Sequence, residues 1–237
     1  MASLLIFGFL LGLKHALEAD HVAAVASLAT RSHSFVSTLR VAAVWGIGHT
    51  AALLFFGSIL LLVDASLSQR ASSVLEGVVG VMLVVLGLDV LRRVRQKRIH
   101  LHVHEHDDGA RHFHAHAHEE ETAHDTMKHD HAHVRGLLPR ALLVGTVHGI
   151  AGTAALTLLS LHRLHSYAWA VVYLALFGVG TIAGMVAITL VISLPLRLTA
   201  RHLGWASNGL EAALGVITVV LGSWIAFQSA ASVVSAG

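Results

Sequence analysis

Six long stretches of the chain are almost entirely apolar, and shorter polar stretches separate them. Crossing a bilayer takes about 20 mostly apolar residues, so each stretch predicts a membrane-spanning helix. The predicted helices are Ala2–Ala29, Leu39–Val63, Val74–Leu91, Leu137–Leu161, Tyr167–Leu194 and Gly209–Val234. The pattern predicts an all-α, polytopic membrane protein: a three-helix unit (residues 1–91), a polar loop (92–136) and a second three-helix unit (137–237).

The composition agrees with a membrane protein. Hydrophobic residues make up 55% of the chain and charged residues 13%, whereas about 25% of a soluble domain is charged. The absence of cysteine excludes disulfides, thiolate metal sites and thiol-transfer chemistry. The basic pI near 9.4 indicates a lipid bilayer rather than a nucleic-acid partner, because the cations cluster beside the predicted helices.

The positions of Lys and Arg predict the orientation. The loops after the first, third and fifth predicted helices carry thirteen of them, and the opposite side has only Arg70 and Arg163. Cytoplasmic loops carry the excess of cations, so we expect a bacterial inner-membrane protein with the polar loop in the cytoplasm and both termini outside. The start, Ala2–Leu13, lacks the basic region of a signal peptide, and we expect it to be retained.

The two halves of the chain resemble each other in three places, in the same order. The matched segments are Gly12–His15 with Gly145–His148, Gly46–Thr50 with Gly178–Ile182, and Leu75–Gly87 with Leu210–Gly222. Since each unit has three predicted spans, the second must be inverted in the membrane. Inverted repeats that bind their substrate near the midplane are typical of secondary transporters.

Two imidazoles and two carboxylates lie in the middle of the first predicted helix: His15, Glu18, Asp20 and His21. Such groups are costly in a bilayer and mark functional sites. Imidazole and carboxylate without a thiol suit divalent Ni, Co or Zn. On a regular helix His15, Glu18 and His21 share an arc of about 120°, and only a break in the helix would let Asp20 join them.

Further candidates lie in the other predicted helices. His49 follows two glycines, and His148 is the repeat equivalent of His15; each is a candidate ligand or else a hydrogen-bonded interior residue. Thr50, Thr153 and Thr181 are weaker candidates for a supporting role, because threonine often bonds to its own helix backbone.

The polar loop holds twelve of the twenty histidines and few large apolar residues. They are His100, His102, His104, His106, His112, His114, His116, His118, His124, His129, His131 and His133. Such a segment buries too little surface to fold alone, so we expect it to be disordered without metal. His-rich tracts indicate metal binding, here of several ions rather than at one defined site.

The segment Gly12–His21 resembles the His-x4-Asp-His signature of the nickel/cobalt transporter (NiCoT) family, and with Val22–Val25 it looks most like the short UreH-type branch associated with urease. Gly46–Thr50 is similar to a second motif of that family. The resemblance implies that His15, Asp20, His21 and His49 recognise Ni²⁺, with Co²⁺ as an alternative substrate. It also implies cytosolic nickel chaperones or urease maturation proteins as partners. Larger members of the family have eight spans, whereas six are predicted here. This difference leaves open which metal the chain prefers and how its transport is coupled.

These observations favour Ni²⁺ uptake by alternating access, without enzyme activity. No phosphate-binding Gly-x4-Gly-Lys-Ser/Thr loop is present. Three alternatives stay open: efflux driven by proton antiport with Glu18 and Asp20 carrying the proton, a membrane-anchored metal store or sensor, and a membrane enzyme with His-bound haem or metal.

Overall fold

The computed structural model describes residues 2–30, 35–63, 67–96, 99–105, 111–117, 131–159, 166–202 and 204–235. In chain order, its elements are α1 (Ala2–His15), α2 (Ala19–Ala29), α3 (Phe35–Leu62), α4 (Gln69–Gln96), β1 (Ile99–Glu105), β2 (Arg111–Ala117), α5 (His131–Leu159), α6 (Tyr167–His202) and α7 (Gly204–Ser235). Outside the polar loop, every described element is a helix.

The long helices have the length and composition of membrane spans. Within the described residues, four helical segments are long and apolar enough to cross a membrane: Phe35–Leu62, Gln69–Gln96, Tyr167–Leu194 and Ala206–Ser235. Large apolar side chains such as Phe55, Val191 and Phe227 remain 62–70% exposed on the helix surfaces. An apolar exterior of this kind is suited to lipid, which is consistent with the prediction of a helical membrane protein.

The first predicted helix is broken in the middle, so that Ala2–Ala29 forms two helices. The last regular bond of α1 joins the Ala16 amide to the Gly12 carbonyl at 3.1 Å, and a tighter turn joins the Glu18 amide to the His15 carbonyl at 3.0 Å. Glu18 is extended (φ −64°, ψ 147°) and precedes the first residue of α2. The backbone therefore changes direction within the ionisable segment.

The helices pack in pairs around α2. Helix α1 packs on α6, α3 on α5 and α6, and α4 on α7, while α2 contacts α4, α6 and α7. Glycines allow the closest approaches: a Cβ at Gly12 would collide with the Phe177 carbonyl, and one at Gly145 would collide with the Trp45 carbonyl. Small residues at such contacts are typical of membrane helices.

The core surrounds the second half of the broken helix. Eight of the eleven residues of α2 are buried, and Ala24 and Val25 pack in a cluster with Trp45, Leu83 and Met185. Helix α2 is therefore held on all sides by other helices and carries its first turn, Asp20 and His21, into the interior.

Part of the polar loop forms an antiparallel pair of strands, which differs from the disorder that we predicted for it. The register places β1 histidines opposite β2 histidines: His100 with His116, His102 with His114, and His104 with His112. The alternating His-x-His pattern has the two-residue period of a strand. His131 and His133 lie in the first turn of α5, and His106, His118, His124 and His129 lie outside the described residues.

Candidate metal centre

Four imidazoles and one carboxylate meet where α1, α2, α3 and α5 come together. His15 is the last residue of α1, and Asp20 and His21 lie in the first turn of α2. His49 lies in the middle of α3, and His148 lies in α5. The break between α1 and α2 brings Asp20 to the same place as the histidines, which a continuous helix would not do.

His21 lies at the centre of the cluster. Its ring centroid is 4.4 Å from that of His15, 5.3 Å from that of His49 and 4.2 Å from that of His148. The rings of His15 and His49 are 5.5 Å apart. His21 and His49 are fully buried, and His148 is 2% exposed. The protein therefore shields the rings of His21, His49 and His148 from solvent.

Two sets of three ligand atoms are close enough to hold one ion each. His15, His21 and His49 form the first set, and Asp20, His21 and His148 form the second. Within each set, one ligand atom per residue lies within 4.8 Å of the others. Both sets contain His21, so they are neighbouring positions rather than independent sites.

The carboxylates of Glu18 and Asp20 lie within hydrogen-bond distance of ring nitrogens of the imidazoles. Glu18 Oε2 lies 3.0 Å from His15 Nδ1. Asp20 Oδ1 lies 3.1 Å from His21 Nδ1, and its Oδ2 lies 2.8 Å from His148 Nε2. An ionised carboxylate only accepts hydrogen bonds, so each of these ring nitrogens donates. In the neutral form of each imidazole, the Nε2 atoms of His15 and His21 are then unprotonated and carry a free lone pair.

Those free nitrogens are buried. His15 Nε2, His21 Nε2 and both ring nitrogens of His49 have no hydrogen-bond partner among the described residues. A buried polar atom without a partner costs about 1–3 kcal/mol, and several together call for a functional explanation. A divalent metal bound by three imidazole nitrogens would satisfy one lone pair on each ring. Carboxylates on the opposite ring nitrogens are the usual means of orienting metal-bound histidines.

Aromatic rings and a glycine form the walls of the centre. Trp45 stacks on His21 with ring centroids 5.8 Å apart, and the Phe177 ring lies 5.3 Å from that of His15. A Cβ at Gly152 would lie 3.7 Å from His15 Nε2, so the missing side chain leaves space beside the ligand. Sequence reasoning assigned no role to Trp45 or Phe177, although each directly precedes the first glycine of a repeated motif.

The weaker candidates are placed differently. The Thr50 hydroxyl donates to the Gly178 carbonyl at 3.2 Å, and the Thr181 hydroxyl donates to the Phe177 carbonyl at 2.9 Å. Thr50 therefore links α3 to α6 beside the centre, whereas Thr181 bonds to the backbone of its own helix. The side chain of Thr153 and those of the loop histidines lie outside the described part of the chain.

Comparison with known proteins finds a clear relative of this chain. The chain is 33% identical over 223 residues, covering 94% of it and 90% of the relative, to the urease accessory protein UreH of Bacillus sp. (strain TB-90). No model of a protein family matches the chain, and no solved structure matches it either.

Proposed function

Because the chain belongs to the family of the urease accessory protein UreH, we propose that it is a transporter that carries Ni²⁺, with Co²⁺ as an alternative cargo, across a bacterial inner membrane into the cytoplasm. An accessory role toward urease fits a nickel cargo, and it suggests cytosolic nickel chaperones or urease maturation proteins as partners. The similarity to the NiCoT signature, His-x4-Asp-His at His15, Asp20 and His21, supports the same cargo. No enzymatic step is required.

The buried, unpaired imidazole nitrogens carry this proposal. Imidazole is a good ligand for Ni²⁺ and Co²⁺, and the three nitrogens of His15, His21 and His49 lie close enough for one ion. Three protein ligands leave the remaining coordination positions to water. An ion held in this way can be released again, as transport requires.

A second ligand set next to the first suggests how the ion moves on. Since His21 belongs to both sets, an ion can pass from His15 and His49 to Asp20 and His148 without losing all of its protein ligands. In the first position Asp20 orients His21 and His148; in the second it becomes a ligand and offsets one positive charge.

We propose a six-span architecture of two inverted repeats, residues 1–91 and 137–237, joined by the cytoplasmic loop. Equivalent glycine contacts support it: Gly12 of α1 meets the carbonyl of Phe177 in α6, and Gly145 of α5 meets that of Trp45 in α3. Under the repeat, α1 corresponds to α5 and α6 to α3, so these are the same contact made twice. Alternating access would then rock one repeat against the other around the histidines.

The membrane potential is sufficient to drive uptake in this scheme. An inside-negative potential contributes about 2.3 kcal/mol per charge per 100 mV, or about twice that for a divalent cation. The thirteen cations on one side of the predicted spans support a cytoplasmic loop and termini on the outside. The loop histidines would bind arriving metal.

Accumulation of radioactive Ni²⁺ tests the proposal. Cells expressing the chain, an empty vector, His49→Ala or Gly209→Ala are compared at a metal concentration below saturation. His49 lies in the centre, whereas a Cβ at Gly209 would meet nothing within 4 Å, so Gly209→Ala is the matched control. We expect accumulation with the wild type and the control, and vector levels with His49→Ala. Accumulation below the vector with the wild type would contradict uptake and indicate export.

A further inference from the structure

Helix α2 needs an anchor at its far end. With eleven residues it has only about three turns. Its buried residues are mostly alanine, which bury little apolar area each. Its last carbonyl groups also lack partners within the helix. Contacts from neighbouring helices must therefore fix its position.

Arg93 of α4 supplies such a contact. Its Nη1 donates to the Thr30 carbonyl at 3.3 Å, and its Nη2 donates to the Thr30 hydroxyl at 3.1 Å. Thr30 is the C-terminal cap of α2, and its hydroxyl donates to the Ser27 carbonyl at 2.8 Å. A guanidinium at this end also complements the partial negative charge of a helix C-terminus.

Arg93 is itself held in place. Its Nε donates to Asp89 Oδ2 at 3.1 Å, one turn earlier on α4. In the last turn of α2, the hydroxyls of Ser27 and Thr218 lie 3.1 Å apart and tie the helix to α7. The Asp89–Arg93–Thr30 contacts, here called the α2 clamp, thus connect α4 to the C-terminal end of α2. Asp20 and His21 lie in the first turn of the same helix, at its opposite end.

We propose that Arg93 is a positioning residue for transport. Through the α2 clamp it keeps α2 as a buried plug on one side of the metal centre and keeps Asp20 and His21 beside the other histidines. The clamp rests on contacts independent of metal, although its role in transport rests on the proposed function. The repeat aligns Arg93 with Gln228 and Asp89 with Trp224, so the second repeat has no equivalent ion pair.

Because the chain has no cysteine, a single introduced cysteine is the only thiol that a maleimide can label. Ser27→Cys places one thiol in α2 at a site that is 1% exposed. The full chain is reconstituted in lipid nanodiscs, where both membrane faces are open to a water-soluble maleimide. The labelling rate then reports how often α2 leaves its buried position, whatever the orientation of the protein.

In this background, Arg93→Gln should accelerate labelling about tenfold, since losing a hydrogen bond to a charged group shifts an opening equilibrium by that order. Arg93→Lys should be intermediate, because lysine keeps the charge but not the forked geometry. The exposed neighbour Arg92 provides the matched control, and Arg92→Gln should leave the rate unchanged. If Arg93→Gln does not fold, Thr30→Val, which removes the hydroxyl acceptor, should accelerate labelling by a smaller factor.

Added Ni²⁺ separates this inference from the proposed function. A bound ion links His21 to His15 and His49, so saturating Ni²⁺ should slow the labelling of Arg93→Gln, and His49→Ala should abolish that protection. Equal labelling of Arg93→Gln and its parent would overturn the α2 clamp. Faster labelling that Ni²⁺ does not slow would keep the clamp and contradict the metal centre instead.

Discussion

Replacing Asp20 by asparagine changes one carboxylate oxygen to an NH₂ group and should weaken Ni²⁺ binding strongly. Asp20 accepts hydrogen bonds from His21 Nδ1 at 3.1 Å and from His148 Nε2 at 2.8 Å. An asparagine has one accepting oxygen and one donating NH₂ group, so it can accept from only one of these rings. Asp20 Oδ1 also accepts from the His21 backbone amide at 2.9 Å, so the asparagine oxygen stays with His21 as a neutral and weaker acceptor. Its NH₂ group then donates to His148 Nε2, and the proton of that ring moves to Nδ1.

The size of the effect follows from this indirect role. Changing a group that orients a metal ligand typically costs about 10- to 100-fold in affinity, which corresponds to about 1.4–2.7 kcal/mol. His49→Ala removes a ligand itself and should cost more. Glu18→Gln should cost less than Asp20→Asn, because Glu18 is 56% exposed in its side chain and orients only His15.

Competition between the purified protein in nanodiscs and a coloured chelator measures these affinities. The reasoning would be refuted if Asp20→Asn bound Ni²⁺ as tightly as the wild type, since the carboxylate would then not position His21. A loss as large as that of His49→Ala would also refute it, and would make Asp20 a direct ligand in the resting position. A normal melting temperature of Asp20→Asn is the control for folding.

Three further changes have defined outcomes. A Cβ at Gly152 would meet His15 Nε2 at 3.7 Å and His49 Cε1 at 3.6 Å, so Gly152→Ala should fold normally but weaken Ni²⁺ binding about tenfold by filling space near the ion; unchanged affinity in the chelator assay would place the ion elsewhere. Gly12→Ala should destabilise the protein by about 1–3 kcal/mol through overpacking, seen as a lower melting temperature, whereas Gly209→Ala should not; equal melting of the two would argue against the close α1–α6 contact. Deleting residues 98–133 should leave part of the Ni²⁺ flux, and complete loss would favour a store or sensor over a transporter.

The sequence was sufficient to find the candidate centre but not its geometry. Ionisable groups in an apolar stretch are conspicuous, which is why His15, Asp20 and His21 stood out, and the repeat pointed to His148 as the equivalent of His15. The position of the helix break was not predictable, because Ala16 and Leu17 are good helix formers. Only the backbone path of Glu18 shows that Asp20 can reach both His21 and His148.

Other features depend on contacts between distant parts of the chain. Arg93 looked like one of many cations at the end of a span, and its contact with Thr30 joins residues that are far apart in sequence. The role of Trp45 as a wall of the centre was hidden for the same reason, since apolar residues in a membrane helix look alike whether they face lipid or a ligand. The strands of the polar loop follow from a two-residue period that we interpreted only as a metal-binding composition.

Ni²⁺ entry into sealed proteoliposomes tests the central claim most directly. The purified chain is reconstituted with a metal-sensitive dye inside, and an inside-negative potential is imposed with potassium and valinomycin. Reconstitution inserts the protein in both orientations. Liposomes that contain His49→Ala therefore provide the reference against which wild-type entry is compared. The account predicts Ni²⁺ entry that rises with the potential and is lost in His49→Ala. Equal entry into wild-type, His49→Ala and protein-free liposomes would contradict a Ni²⁺ pathway through the buried histidines.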